Sequence, residues 1–170
     1  MPRGVLIATL CLLTALMLLG GCESGSGARR PPQNVDPNSL LVYSGFLPVA
    51  VDILPLTELS AGEPQRPQLR VYVALLDTFG DQIKAPGVFR FELYEHLPRS
   101  ADPKGARAKI WPDIELIGPD SNHSRWRDFL RAYEFVFTLE AGPRREYVLA
   151  VTFLAPGGQR LNAETLLFRP

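Results

Sequence analysis

The sequence predicts an all-β domain, a two-sheet antiparallel β-sandwich with one short helix near residues 124–131. Apolar side chains recur at every second position in several separate runs, as they do in strands that bury one face. Gly, Pro and Asp lie between these runs, where turns are needed. The 16 prolines spread along 170 residues disfavour long helices. Six or seven strands in about 125 residues fit two packed sheets.

The predicted strands follow this alternation along the chain. They cover residues 49–53, 69–75, 89–95, 133–140 and 147–153, with a shorter candidate at 164–168. The clearest turn is Ala155-Pro156-Gly157-Gly158-Gln159, because adjacent glycines accept the positive φ angles of a tight hairpin. Another turn contains Asp77, Gly80 and Asp81. Its carboxylates suit calcium, but Asp and Gly are also ordinary turn formers, and the further ligands of a calcium loop are missing.

The short helix is predicted from one group of aromatic and aliphatic residues. Trp126, Phe129, Leu130 and Tyr133 follow the i, i+3, i+4, i+7 spacing of one helical face. Two turns of helix are marginal alone and need the sandwich to pack against. The preferred interpretation is that Trp126 closes one open end of the core; the alternative is a platform on which a ligand stacks.

The first 22 residues resemble the export signal of bacterial lipoproteins. Arg3 precedes an uncharged apolar run at residues 4–19, which is the arrangement of a signal peptide. The following Leu19-Gly20-Gly21-Cys22 resembles a lipobox, with small residues before the cysteine that is lipidated. Residues 1–21 are therefore predicted to be a signal peptide, and the resemblance implies three acyl chains on Cys22. The alternative is an uncleaved membrane-spanning helix with an incidental cysteine.

The location and domain boundaries follow from the same segment. Glu23 stands where an Asp commonly retains such lipoproteins in the inner membrane, so the pattern resembles that of outer-membrane lipoproteins facing the periplasm. Residues 22–39 are rich in Ser, Gly, Pro and Arg and are predicted to be a disordered tether. Residues 40–170 are predicted to form the sandwich.

Residues 69–95 carry a further resemblance. Two alternating strands flank Asp77, Gly80, Ile83 and Gly87, a pattern similar to transthyretin-like and bacterial immunoglobulin-like modules of secreted proteins. The whole chain also resembles the sandwich lipoproteins of bacterial envelopes, a likeness that implies no activity. Fold resemblance alone does not define a function.

Charge and cysteine content exclude several classes of protein. Removal of residues 1–21 takes away only Arg3 and leaves 17 basic against 18 acidic side chains, a formal net charge of −1. This balance lacks the basic footprint of a nucleic-acid-binding protein. Because the two cysteines are Cys11 and Cys22, the predicted domain has no disulfide and no cysteine-based metal site.

No grouping of residues in the sequence predicts catalysis, a metal site or a cofactor. His96 and His123 lack acidic or histidine neighbours at zinc-like spacing. The irregular stretch at residues 97–120 instead offers a candidate surface for contact with a partner or ligand: Arg99, Lys104, Arg107, Lys109 and Trp111. For Trp111 the favoured alternative is a place in the core.

These observations lead to three functional hypotheses. The first is a non-catalytic, membrane-anchored interaction module for another envelope protein. The second is a binder of a small ligand or glycan that stacks on Trp111, Tyr94 or Tyr72. The remote third is a hydrolase assembled from distant residues such as His96 and Asp77, which requires the two side chains to approach within hydrogen-bond reach.

Overall fold

Alternating apolar positions build two antiparallel sheets that enclose one core. The computed structural model describes residues 44–60, 67–139 and 146–168. Its elements, after a 3₁₀ turn at Ser44–Phe46, are β1 (Ala50–Ile53), β2 (Glu58–Ser60), β3 (Gln68–Leu76), β4 (Gln82–Ile83), β5 (Val88–His96), β6 (Lys104–Ile110), β7 (Ile114–Glu115), α1 (Pro119–Arg125), β8 (Trp126–Arg127), β9 (Ala132–Thr138), β10 (Glu146–Leu154) and β11 (Arg160–Phe168).

The strand order confirms the predicted two-sheet sandwich. The first sheet has the order β1-β3-β9-β8, and β2 and β4 also pair with β3. The second sheet has the order β11-β10-β5-β6, and β7 pairs with β5. Every pairing is antiparallel. The last strand begins at Arg160, four residues before the predicted 164–168, because its whole length pairs with β10.

Aromatic side chains hold the two sheets together. Phe91 on β5 lies 4.6 Å from Phe135 and 4.9 Å from Phe137, both on β9 of the opposite sheet, measured between ring centroids. Phe89 contacts Phe135 and Tyr133 at 5.1 and 5.3 Å in the same way. The rings are tilted to one another, an arrangement that aromatic pairs prefer. The buried face predicted from alternation is therefore the face on which the sheets meet.

The predicted position of the helix is wrong. The helix spans Pro119–Arg125, and Trp126 and Tyr133 instead face each other as partners of the β8–β9 hairpin, with ring centroids 5.1 Å apart. A separation of seven residues fits two helical turns and equally fits a hairpin whose loop is 128–131. Arg131 closes this loop with a φ of 50°, and Phe129 at its tip is 84% exposed. Trp126 is buried in the core, as preferred from the sequence.

The turns behave largely as their sequences predict. Gly158, with a φ of 84°, supplies a positive angle in the β10–β11 turn, whereas Gly157 does not adopt one. In the 77–81 loop the Asp77 carboxylate accepts the backbone N–H groups of Phe79 and Asp81, each at 2.9 Å. This is the ordinary turn-forming role of Asp.

The predicted signal peptide at 1–21, the lipobox with Cys22 and most of the tether at 22–39 lie outside the described residues. None of the helices in the described ranges is long and apolar enough to cross a membrane.

Candidate interaction surface

Three of the predicted contact residues lie on one strand at the edge of the second sheet. Lys104, Arg107 and Lys109 belong to β6, whose seven residues have no buried position. Within the described ranges β6 pairs only with β5, so its other side carries no neighbouring strand. The strand alternates small and basic residues (Lys-Gly-Ala-Arg-Ala-Lys-Ile) and is therefore accessible both through its backbone and through its charges.

Two of these cations already have acidic partners on the outer face of the sheet. The Lys104 ammonium pairs with Glu164 on β11, and the Lys104 nitrogen lies 5.8 Å from the centroid of the Tyr94 ring. The hydrogen bond to Glu164 raises the pKa of Lys104. Arg107 donates to Glu92 on β5 at 2.9 Å. Because these charges are compensated across the sheet, the surface is less basic than the sequence of β6 suggests.

The edge of β6 is irregular. The register shifts between Leu93 and Tyr94 and again between Tyr94 and His96, so extra residues of β6 bulge out of the ladder. Bulges and lysines are common devices that prevent indiscriminate pairing of an edge strand. Near the end of β6 the ladder is regular: Lys109 and Ile110 pair with Leu93 and Glu92. The backbone N–H of Trp111, the next residue, donates to the Phe91 carbonyl at 3.2 Å.

Arg99 and Trp111 have different positions from the rest of the predicted group. Arg99 lies in the turn between β5 and β6, is exposed and has a φ of 64°. Trp111 is 8% exposed and packs against Phe137 with ring centroids 4.6 Å apart. Trp111 is therefore a core residue and not a contact residue, because its large apolar ring fills the space between β5 and β9. Side-chain charges of Arg99 and Lys109 have no ion-pair partner among the described residues.

A groove that the sequence did not predict lies between residues 84–86, just before β5, and residues 117–123, which include most of α1. We call it the lateral groove; its volume is about 420 Å³, and it is lined by Lys84, Ala85, Pro86, Ile117, Pro119, Asn122 and His123. The Lys84 nitrogen lies 3.0 Å from Nδ1 of His123, within hydrogen-bond distance, and 5.0 Å from the centroid of the Trp126 ring. The lining is mostly apolar, and its polar residues are Lys84, Asn122 and His123.

The three aromatic residues proposed as platforms for a glycan differ in exposure. Trp111 is buried, whereas Tyr94 and Tyr72 are half-buried. The Tyr94 hydroxyl donates to Glu92 at 3.1 Å, and the Lys104 nitrogen lies 5.8 Å from the centroid of the Tyr94 ring. The Tyr72 hydroxyl donates to Glu134 at 3.2 Å. Burial of Trp111 therefore removes one of the three platforms.

The two residues considered for a hydrolase are not brought together. Asp77 lies just beyond β3, near the end where Val73 pairs with Tyr133 and Tyr133 contacts Phe89. His96 is seven residues further along β5 from Phe89, about 23 Å at the rise of a strand, and its Nδ1 lies 2.8 Å from Glu146. Within the described ranges, no group of three His, Cys, Asp or Glu side chains is placed to hold a metal ion.

Comparison with protein-family models, with curated proteins and with solved structures finds no match to this chain.

Proposed function

We propose that this chain is an exported lipoprotein, anchored through acylated Cys22 in the bacterial envelope, whose sandwich is a non-catalytic interaction module for another envelope protein. The lipobox-like Leu19-Gly20-Gly21-Cys22 supports the anchor, and Glu23 favours the outer membrane with the domain facing the periplasm. The observation that carries the interaction is that the edge strand β6 has no buried residue and no neighbouring strand on its outer side in the described ranges.

Two features of β6 give it selectivity for a partner. An edge strand offers backbone N–H and C=O groups, to which an extended segment of another protein can add as a strand. The Trp111 N–H points to β5, so alternation along the ladder turns the N–H of Ile110 away from β5, toward the partner. Lys109 adds positive charge beside this position, and Arg99 adds it beyond the other end of β6, in the turn that follows β5. Both charges favour a partner segment that is acidic.

Site-specific photocrosslinking in the native bacterium tests this proposal with the full lipidated chain. A photoreactive residue replaces Ala108, an exposed β6 residue with a small side chain, so that its own loss disturbs little. The matched control carries the same residue at Arg160, which is exposed on β11 at the opposite edge of the sheet. We expect one discrete envelope protein to be crosslinked from position 108 and not from 160.

Two substitutions identify what the partner recognises. Ile110→Pro removes the outward N–H, at a position where an edge strand tolerates proline. Lys109→Glu reverses a charge that has no ion-pair partner in the described part of the chain. Each is expected to reduce the crosslink several-fold. Equal crosslinking from positions 108 and 160, or a crosslink unaffected by both substitutions, contradicts recognition by β6.

A second candidate function is the binding of a small apolar carboxylate in the lateral groove. Its volume lies within the range of ligand sites, roughly 300–1,000 Å³, and Lys84 provides a cation in a mostly apolar lining. The test is a screen of aliphatic and aromatic carboxylates for increases in the melting temperature of the full chain. Binding that is lost in Lys84→Ala and retained in Lys109→Ala supports this function; binding unaffected by Lys84→Ala contradicts it.

A further inference from the structure

Four large apolar side chains are exposed at one end of the sandwich. Phe46 and Leu47 lie before β1, Phe79 lies in the loop after β3, and Phe129 lies at the tip of the β8–β9 hairpin. Their exposed fractions are 69%, 52%, 83% and 84%. Single apolar residues on a surface need no explanation. Four of them on three segments at the same end form a feature that we call the apolar tip.

Hydrogen bonds place these segments side by side. Thr78 donates through its hydroxyl to the Gly45 carbonyl at 3.4 Å, which brings the chain before Phe46 to the 77–81 loop. Arg131 donates to the Gln82 carbonyl at 2.8 Å, which ties the β8–β9 loop to β4 just after the 77–81 loop. The apolar tip is therefore one region of the molecule, although its residues lie far apart in the sequence.

The two loops that carry the most exposed phenylalanines are also fixed internally. Asp77 accepts two backbone N–H groups and so holds the loop that contains Phe79. The loop of Phe129 is closed by the positive φ of Arg131 and by the N–H of Leu130, which donates to the Arg127 carbonyl at 3.1 Å. These bonds hold the backbone of both loops, and both rings are more than four-fifths exposed at the loop tips.

We propose that the apolar tip inserts into the interfacial layer of the membrane that carries the lipid anchor. This inference rests on the proposed acylation of Cys22. Residues 23–43 connect that cysteine to Ser44, where the described domain begins, and Ser44 lies at the end that carries the tip. The chain that leads from the anchor thus enters the described domain at the end that carries the apolar tip, and the edge strand β6 lies on the side of the domain.

The charges beside the tip identify the nature of the contact. Asp81, Asp128 and Arg131 lie on the same two loops, so acidic groups outnumber basic ones there. Attraction by anionic lipid therefore does not drive the contact. The contact is driven instead by burial of the apolar side chains in the boundary between headgroups and acyl chains. Because this boundary is reached within about 5–10 Å, the charged groups of the loops stay at the aqueous interface.

Depth-dependent fluorescence quenching of the full lipidated chain tests the orientation. The described domain has no cysteine, so a single introduced cysteine takes up an environment-sensitive probe specifically. The probe is placed at Asp128→Cys, beside Phe129, and in the control at Thr138→Cys, at the far end of β9. Six residues of strand separate Ala132 from Thr138, about 20 Å. The vesicles contain phosphatidylethanolamine and phosphatidylglycerol, part of it with brominated acyl chains that quench the probe.

We expect quenching several-fold stronger at position 128 than at position 138. Phe129→Ser or Phe79→Ser should lower the value at 128 toward that of the control, whereas Val136→Ser, a half-exposed residue outside the tip, should leave it unchanged. Equal quenching at the two positions overturns the orientation. An unquenched probe at position 128 also overturns it, because the tip then faces water or another protein and not the bilayer. Mass spectrometry separates the two proposals: an unacylated Cys22 overturns the anchor and the orientation together, and an acylated Cys22 with equal quenching overturns the orientation alone.

Discussion

Tyr133 joins three segments of the chain through one buried hydroxyl. The hydroxyl accepts the N–H of Ala85 at 3.0 Å and donates to Oδ1 of Asn122 at the same distance. Asn122 in turn donates to the carbonyls of Ala85 and Leu116 at 2.9 and 3.0 Å. Burial raises the pKa of Tyr133, so the hydroxyl remains a neutral donor at physiological pH. These bonds fix the crossover between the sheets against α1, and two of the bonded residues, Ala85 and Asn122, line the lateral groove.

Tyr133→Phe is expected to destabilise the domain by about 1–3 kcal/mol, because it leaves a buried N–H and a buried amide oxygen without partners. Tyr72→Phe is the matched control; its hydroxyl is only partly buried and bonds Glu134, which keeps bonds to Arg127, so its loss should cost about 1 kcal/mol or less. Urea unfolding of the two variants measures the difference. Equal losses of stability would contradict the structural role of the buried hydroxyl.

At the scale of the element, the sequence predicts strands better than it predicts the segment at 119–133. A strand that buries one face shows alternation, and β3, β5 and β10 extend only one residue beyond each end of the predicted runs. The spacing of Trp126 and Tyr133 does not distinguish a helix from a hairpin, because a hairpin with a loop at 128–131 also places them on one face. Phe129, counted in the predicted helical face, is 84% exposed at the tip of that loop, which no local pattern in the sequence indicates.

The candidate surface was predictable only in part for a similar reason. The basic residues of β6 are local in sequence, and the sequence groups Lys104, Arg107 and Lys109 correctly. Glu164 is sixty residues away from Lys104, so only the pairing of β11 with β10 and of β10 with β5 reveals that the charge is compensated. Burial of Trp111 likewise depends on Phe137 from the other sheet. Contacts between distant strands are what local patterns do not contain.

At the scale of the whole molecule, the stability of the sandwich depends on aromatic contacts that cross from one sheet to the other. Phe91 is completely buried and contacts two rings of the opposite sheet. The described domain has no disulfide to replace these contacts, since both cysteines precede it. Neither sheet can bury its apolar face without the other, so we expect the two sheets to unfold in one cooperative transition.

Phe91→Ala is expected to destabilise the protein by about 3–5 kcal/mol through the lost burial and the cavity that remains, which lowers the melting temperature by roughly 10–20 °C. Phe129→Ala is the matched control, because its ring is exposed at the apolar tip and contributes little to stability.

Single-tryptophan variants report on each sheet separately. Trp111→Phe leaves Trp126 as the reporter on the first sheet, and Trp126→Phe leaves Trp111 as the reporter at the edge of the second sheet. Coincident transitions from both reporters would establish cooperative unfolding. Two separate transitions, or equal effects of Phe91→Ala and Phe129→Ala, would instead show that the aromatic contacts between the sheets do not determine stability, and that each sheet is held by its own strand pairing.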